Sequence, residues 1–210
     1  MNIVVIDAGH GGSSPVGNSS PNNATGPAGA REKDLTLALA LRTTTLLRRE
    51  GIDVRLTRDT DANLGLAARA AVARQANAKA FLSIHFNGDA HPTTQGSETW
   101  VHSASTSDSR LLSASVQERL VRATGLSNRG VRSRGLGVLS LAHHSPDTAA
   151  CLAEISFLTD PAEERRLRDD GYLDRIAAGL AQAILDYLNG ATSGPAQPIA
   201  DGDPNGDGDA

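Results

Sequence analysis

A single α/β domain, built on a mostly parallel sheet with helices on both faces, is the fold this sequence predicts. Three observations carry it. Short apolar runs alternate with longer stretches of helical periodicity from the N-terminus onward, which is strand, helix, strand and helix in succession. Three of those runs, NIVVID, AKAFLSIHF and AACLAEISF, are predominantly apolar, as strands covered on both faces are. The chain has 210 residues with 39% hydrophobic content, enough for one domain that buries its own core. With three Phe, two Tyr and one Trp, that core must be made of Leu, Ile, Val and Ala.

The first strand, Ile3 to Ile6, ends at Asp7, and His10 follows in a turn flanked by glycines. A strand that delivers an imidazole to such a turn fixes the ring while leaving a nitrogen open, which suits a metal ligand; a solvent-facing turn histidine is the plainer alternative. Asp7 fits either a turn or a partner that orients His10. Residues 13–30 are almost wholly Ser, Pro, Asn, Gly and Ala. This loop cannot pack a core and reads either as the wall of a site or as a mobile insertion.

Helical periodicity begins at REKDLTLALALRTTTLLRREG, from Arg31, with Leu35, Leu39, Leu46 and Leu47 on its apolar face and Gly51 at its end. Glu32 thus falls in or just before the first turn, where a carboxylate complements the helix dipole whatever else it does. Residues 52–58 alternate as a second strand, and an Ala-rich helix follows over 64–76 with Arg69 and Arg74. The next strand carries His85 and stops at Asn87-Gly88, repeating the arrangement of the first. In a parallel sheet both histidines fall at the carboxyl edge, where ligands bind.

A fourth strand is predicted over 96–102, a helix over 108–124 with Leu112, Val116 and Leu120 inward, and a short strand over 138–141. His143 and His144 in the following turn are further metal candidates, of which an extended chain allows only one. AACLAEISF then sets Glu154 among Cys151, Leu152, Ala153, Ile155 and Phe157. A carboxylate there is costly unless it is paired, metal-linked or used to carry protons, and an acid/base role is the favoured reading. A short helix after Pro161 and a long one over 172–188 close the domain.

Charge and cysteine content exclude several classes. The net charge of −4 lies entirely in residues 191–210, leaving 1–190 balanced at 20 acidic against 20 basic residues, so nothing points to a nucleic acid partner. The single Cys151 rules out an intramolecular disulfide and a Cys-rich zinc site, so any metal needs His and carboxylate ligands. No run reaches the length of a membrane span, and no signal segment opens the chain. Residues 1–190 read as one domain and 191–210 as a linker with a disordered acidic tail. The stretch DGDPNGDGD matches the opening of a calcium loop but stops before the bidentate Glu, which makes a weak calcium site the alternative there.

In order along residues 2–189, DAGHGG, REKDLTLALA, LTRDTD, LAARAAVARQANA, FLSIHFNG and AEISFLTDPAEE resemble the zinc-dependent N-acetylmuramoyl-L-alanine amidases, hydrolases of bacterial peptidoglycan. The resemblance implies a twisted, mostly parallel six-stranded sheet with helices on both faces. It also implies a single zinc ion held by His10, Glu32 and His85, with Glu154 as the catalytic group, and cleavage of the amide between N-acetylmuramic acid and the stem peptide's L-alanine. Three protein ligands with an open fourth position suit that chemistry. The expected partner is peptidoglycan, met by a monomer at the cell wall, periplasmic or extracellular, by a route the chain does not reveal. Arg58 and Arg69 match family positions and are read as structural. LAHHSPDTAACLAE is longer than the family's usual approach to its Glu strand, which leaves that wall of the site open. A wall-binding module without catalysis, or a related zinc peptidase, are the competing readings. A nucleotide-binding sheet fails, because Ser14 stands where a third glycine belongs and Arg58 where an acidic residue is needed.

Overall fold

The computed structural model describes residues 2–191 and the backbone of residues 200–201. In chain order the elements are β1 (Ile3–Ala8), α1 (Glu32–Arg49), β2 (Asp53–Leu56), α2 (Leu66–Gln75), β3 (Ala80–Asn87), β4 (Ser97–His102), α3 (Ser107–Thr124), β5 (Asn128–Arg134), β6 (Ala149–Phe157), α4 (Pro161–Arg166), α5 (Asp170–Leu188) and β7 (Ala200–Asp201). The sheet runs β2-β1-β3-β6-β4-β5, and the two-residue β7 extends it beside β5. The pairs β1–β2, β1–β3, β3–β6 and β4–β5 are parallel, while β4 lies antiparallel to β6. The six-stranded, mostly parallel α/β domain expected from the sequence is thus present. The linker and calcium-loop readings of 191–210 lie outside the described residues, apart from Ala191 and the β7 backbone.

The apolar runs occupy the middle of the sheet, where both faces are covered. Alternate residues of β1, β3 and β6 (Val4, Ile6, Leu82, Ile84, Cys151, Ala153, Ile155) meet α1, α3 and α5 on one face. On the other, Val5, Phe81, Ala150 and Leu152 meet Ala73 of α2 and Val138 and Leu139. Those last two belong to a 3₁₀ turn, Gly137–Leu139, and not to the strand expected over 138–141. The strand of this region is β5, seven residues with one buried apolar side chain, Val131. Gly135 and Gly137 break the chain here, so Val138 and Leu139 of the VLSL run cover the second core while Leu141 stays exposed.

Helix ends follow their sequence signals. Gly51, at φ 78°, donates to Arg48 O (3.1 Å), and Ile52 donates to Leu47 O (3.1 Å), closing α1 with a left-handed glycine. Asp160 caps α4 ahead of Pro161 by accepting from Ala162 N (2.6 Å) and Glu163 N (3.2 Å).

The 13–30 loop is held in place at several points. Asn63 Nδ2 donates to Ser14 O and Ser19 O, each at 3.0 Å. At the far end the buried Glu164 accepts from Ala28 N (2.7 Å) and Ala30 N (2.9 Å). Glu164→Ala removes both acceptors and is expected to destabilise the fold by about 2 kcal/mol. Amide exchange at Ala28 and Ala30 should quicken first, and unchanged protection there would show that the loop stands without this anchor.

Candidate active site

Both candidate histidines lie at the carboxyl edge of the sheet, as the strand pattern predicts. Ala8 pairs with Ile84, so His10, two residues past Ala8, stands beside His85, and the ring centroids are 4.8 Å apart, edge to face. His10 has φ 59°, the left-handed region that a non-glycine residue enters at a cost of about 1–2 kcal/mol. Its backbone is held there by Arg69 Nη2, which donates to His10 O (2.7 Å), and by Gly11 N, which donates to Pro21 O (3.0 Å).

Glu32 enters from the first turn of α1, 1% exposed. Its Oε2 accepts from Ala24 N (2.8 Å) and its Oε1 from Phe86 N (3.0 Å). The same Oε1 lies 3.1 Å from His85 Nδ1 and 3.1 Å from His10 Nε2. One potential ligand atom from each of the three residues falls within 4.8 Å of the others, all buried. Burial alone would raise Glu32, but the imidazoles of His10 and then His85 beside it outweigh burial and hold its carboxyl below the usual range. For His85, burial and then the charge of His10 outweigh Glu32 and keep the ring below its ordinary value.

The His10 ring is turned by the loop. Ser20 O and Ser20 Oγ lie 3.1 and 3.0 Å from Nδ1. Nδ1–H donating to the carbonyl leaves the Nε2 lone pair facing Glu32 and His85. That Nε2 is buried and, despite its 3.1 Å approach to Glu32, has no hydrogen bond among the described residues. A tetrahedral site with arms of about 2.0–2.1 Å puts neighbouring ligand atoms about 3.3 Å apart; the two spacings to Glu32 Oε1 are 3.1 Å, and the three potential ligand atoms lie within 4.8 Å of one another. Gly9 makes room for the second ring: a Cβ built on it would stand 2.4 Å from His85 Cε1 and 2.5 Å from Nε2.

Glu154 on β6 is in register with His85 on β3 and projects to the same face. Its Oε2 is buried and has no hydrogen bond among the described residues. Burial first, then the carboxylates of Glu32 and Glu98, push its carboxyl well above the usual range.

Glu98 escapes a sequence reading. It is buried on β4, directly across the antiparallel pair from Glu154. It accepts from Asn87 Nδ2 (2.9 Å), Trp100 Nε1 (3.1 Å) and Arg129 Nε (2.7 Å). Its signal is the alternation Glu98, Trp100, His102 along GSETWVH, which acquires meaning only with the β4–β6 register.

Other candidates stand elsewhere. His144 is buried against Phe81 (centroids 4.7 Å apart) with Nε2 on Val138 O (2.8 Å), and neither it nor His143 joins the His10, Glu32 and His85 group. Asp7 is inside β1, not in a turn, and does not touch the His10 ring. It accepts from Arg69 Nη1 (2.9 Å), Thr57 Oγ1 (2.5 Å) and Ser83 Oγ (2.6 Å). Arg58 donates to Ala8 O, Gly9 O and Lys33 O, so both arginines serve the backbone of the turn, in keeping with their structural reading.

The profile of the family described as N-acetylmuramoyl-L-alanine amidase matches residues 4–186. Among relatives, the Escherichia coli (strain K12) N-acetylmuramoyl-L-alanine amidase AmiA is 28% identical over 231 residues, covering 89% of this chain and 76% of its own. The endolysin of Bacillus phage SPP1 is 31% identical over 194 residues, covering 89% of this chain and 66% of its own. Among solved structures, the catalytic domain of CwlV, an N-acetylmuramoyl-L-alanine amidase from Bacillus (Paenibacillus) polymyxa var. colistinus, superposes with a TM-score of 0.79 at 32% identity, covering 90% of this chain and 99% of that one. The amidase of Clostridium difficile 630 gives 0.80 at 31%, covering 90% and 97%. A match that runs from the first strand into the last helix, in sequence and in fold, places this chain in the N-acetylmuramoyl-L-alanine amidase family.

Proposed function

We propose that His10, Glu32 and His85 hold a single zinc ion and that Glu154 moves the proton in the peptidoglycan amide hydrolysis that family membership assigns to this chain. The observation that carries this reading is the gathering of one potential ligand atom each from His10, Glu32 and His85 within 4.8 Å of one another, all three residues buried, with the orphaned Glu154 Oε2 on the adjacent strand. The donor set, two imidazoles and one carboxylate, is a common one for catalytic zinc.

Zinc, when bound, supplies Lewis-acid polarisation of the scissile carbonyl and acidifies the attacking water. Glu154 takes the proton of that water and returns it to the nitrogen of the leaving L-alanine. Its raised proton affinity, caused by burial and the neighbouring carboxylates, is the direction such a carrier needs near neutral pH. Glu32, fixed by Ala24 N and Phe86 N, keeps its Oε1 between the two imidazoles. Ser20 and Arg69 orient the His10 ring and backbone, and Gly9 leaves the His85 ring its place.

The substrate is the amide between N-acetylmuramic acid and L-alanine, met at the cell wall, outside the cytoplasmic membrane, by a monomer. Among the described residues no helix is long and apolar enough to cross a membrane. Purified protein should carry about one zinc per chain, lose hydrolysis on chelation and regain it with added zinc. His85→Ala should abolish zinc retention. If instead only changes at His143 or His144 removed the metal, the ligand set would be wrong. Mass analysis of digested peptidoglycan should find new free L-alanine amino ends on intact stem peptides, whereas cuts within the peptide would mean a peptidase.

A further inference from the structure

We propose that Arg129 and Arg132, on β5, form a subsite for a free carboxylate on the leaving peptide, at its second or third residue. The proposal rests on the amidase reading of the Glu154 site.

Three strands set the geometry. Glu98 on β4 faces Glu154 on β6, and Trp100, two residues along the same face, is in register with Arg132 on β5. Two strand spacings put β5 about 10 Å from β6. An extended peptide advances about 3.4 Å per residue. Chain that leaves the scissile amide at Glu154 and crosses β4 therefore reaches the arginines at its second or third residue.

Among the described residues the two arginines share a single carboxylate. Arg129 Nε donates to Glu98 Oε2 at 2.7 Å, and Arg132 Nε lies 3.3 Å from the same oxygen. Glu98 is already engaged by Asn87 and Trp100. Arg132 Nε is buried and makes no hydrogen bond among the described residues, and its guanidinium carbon stands 5.8 Å from the Trp100 ring centroid. The Arg129 guanidinium carbon lies 4.8 Å over the Phe157 ring. Outer nitrogens of both groups make no hydrogen bond among the described residues, while the side chains stay 32% and 21% exposed. Two planar donors, braced by one shared anion and two aromatic rings two strands from Glu154, match a carboxylate better than a neutral amide.

The test is calorimetric binding to the full chain of L-alanyl-γ-D-glutamate, with its α-carboxylate free, and of the same dipeptide as its α-amide. Wild-type protein should bind the acid about ten-fold more tightly than the amide. Arg129→Gln with Arg132→Gln should erase that difference while leaving amide binding in place, in protein shown to be folded by its circular dichroism. Arg132→Lys, which keeps charge but loses the planar fork, should retain part of it. Equal affinities in the wild type, no binding of either dipeptide, or a preference that survives the double change would each overturn the subsite. Acid preference in a protein that frees no L-alanine amino ends from peptidoglycan would instead overturn the amidase reading and leave the subsite standing.

Discussion

Glu154→Gln is expected to keep its zinc and its fold while hydrolysing peptidoglycan about 10²–10⁴-fold more slowly. The substitution preserves the shape of a buried side chain on β6 and removes only its ability to take up a proton. No metal-ligand contact is lost, because the potential ligand atoms belong to His10, Glu32 and His85. The stability effect has a definite sign in the metal-free protein. Burial, with Glu32 and Glu98 nearby, raises the folded-state pKa of Glu154, so the folded chain binds more protons than the unfolded one above the ordinary carboxylate pKa. Stability contributed by that proton is full below the unfolded value, about 4.3, and drains away as pH climbs toward the folded one. A neutral amide escapes this loss, and metal-free Glu154→Gln should melt at or above the wild-type temperature at pH 7. Hydrolysis at the wild-type rate would remove Glu154 from the mechanism.

Strands that could be read from the sequence are those whose burial leaves a mark in composition. In β1, β3 and β6 both faces are covered, so both sets of alternating residues are apolar and the runs stand out. β5 lies next to the sheet edge and buries Val131 alone, while its arginines serve Glu98. No hydrophobic period betrays it, whereas the nearby VLSL run looks like a strand although Val138 and Leu139 belong to a 3₁₀ turn. Residue types at the site were legible for a related reason. His10 and His85 end two parallel strands, which fixes their edge before any coordinates are known. Glu154 is a charge inside an apolar strand, an anomaly visible in one line of sequence. Glu98 and the arginines depend on a non-local antiparallel register between β4 and β6, and nothing local in GSETWVH or NRGVRSR announces it.

Asp7→Ala should cost about 3–5 kcal/mol of folding stability, a large share of the roughly 5–15 kcal/mol a domain possesses. Asp7 and Arg69 are 0% and 1% exposed and meet at 2.9 Å. Removing the carboxylate strands a buried guanidinium, and Thr57 Oγ1 and Ser83 Oγ lose their acceptor with it. Burial by itself would raise Asp7, but Arg69, followed by hydrogen bonds from Ser83 and Thr57, outweighs it and holds the carboxyl below its usual value. The stabilisation is therefore complete above the unfolded carboxylate pKa of about 3.9 and is lost as pH falls through the lower folded value, so it contributes to resistance against acid. Denaturant unfolding of Asp7→Ala, Arg69→Met and the pair should give a coupling energy above about 2 kcal/mol, and additive losses would show that the two side chains do not act as a unit. The site shares the consequence, because Arg69 also donates to His10 O and Ala8 O and so holds His10 at φ 59°. Once the guanidinium loses its counter-charge, the strained turn has less to hold it, and Asp7→Ala should loosen zinc together with the fold even though Asp7 never touches the imidazole.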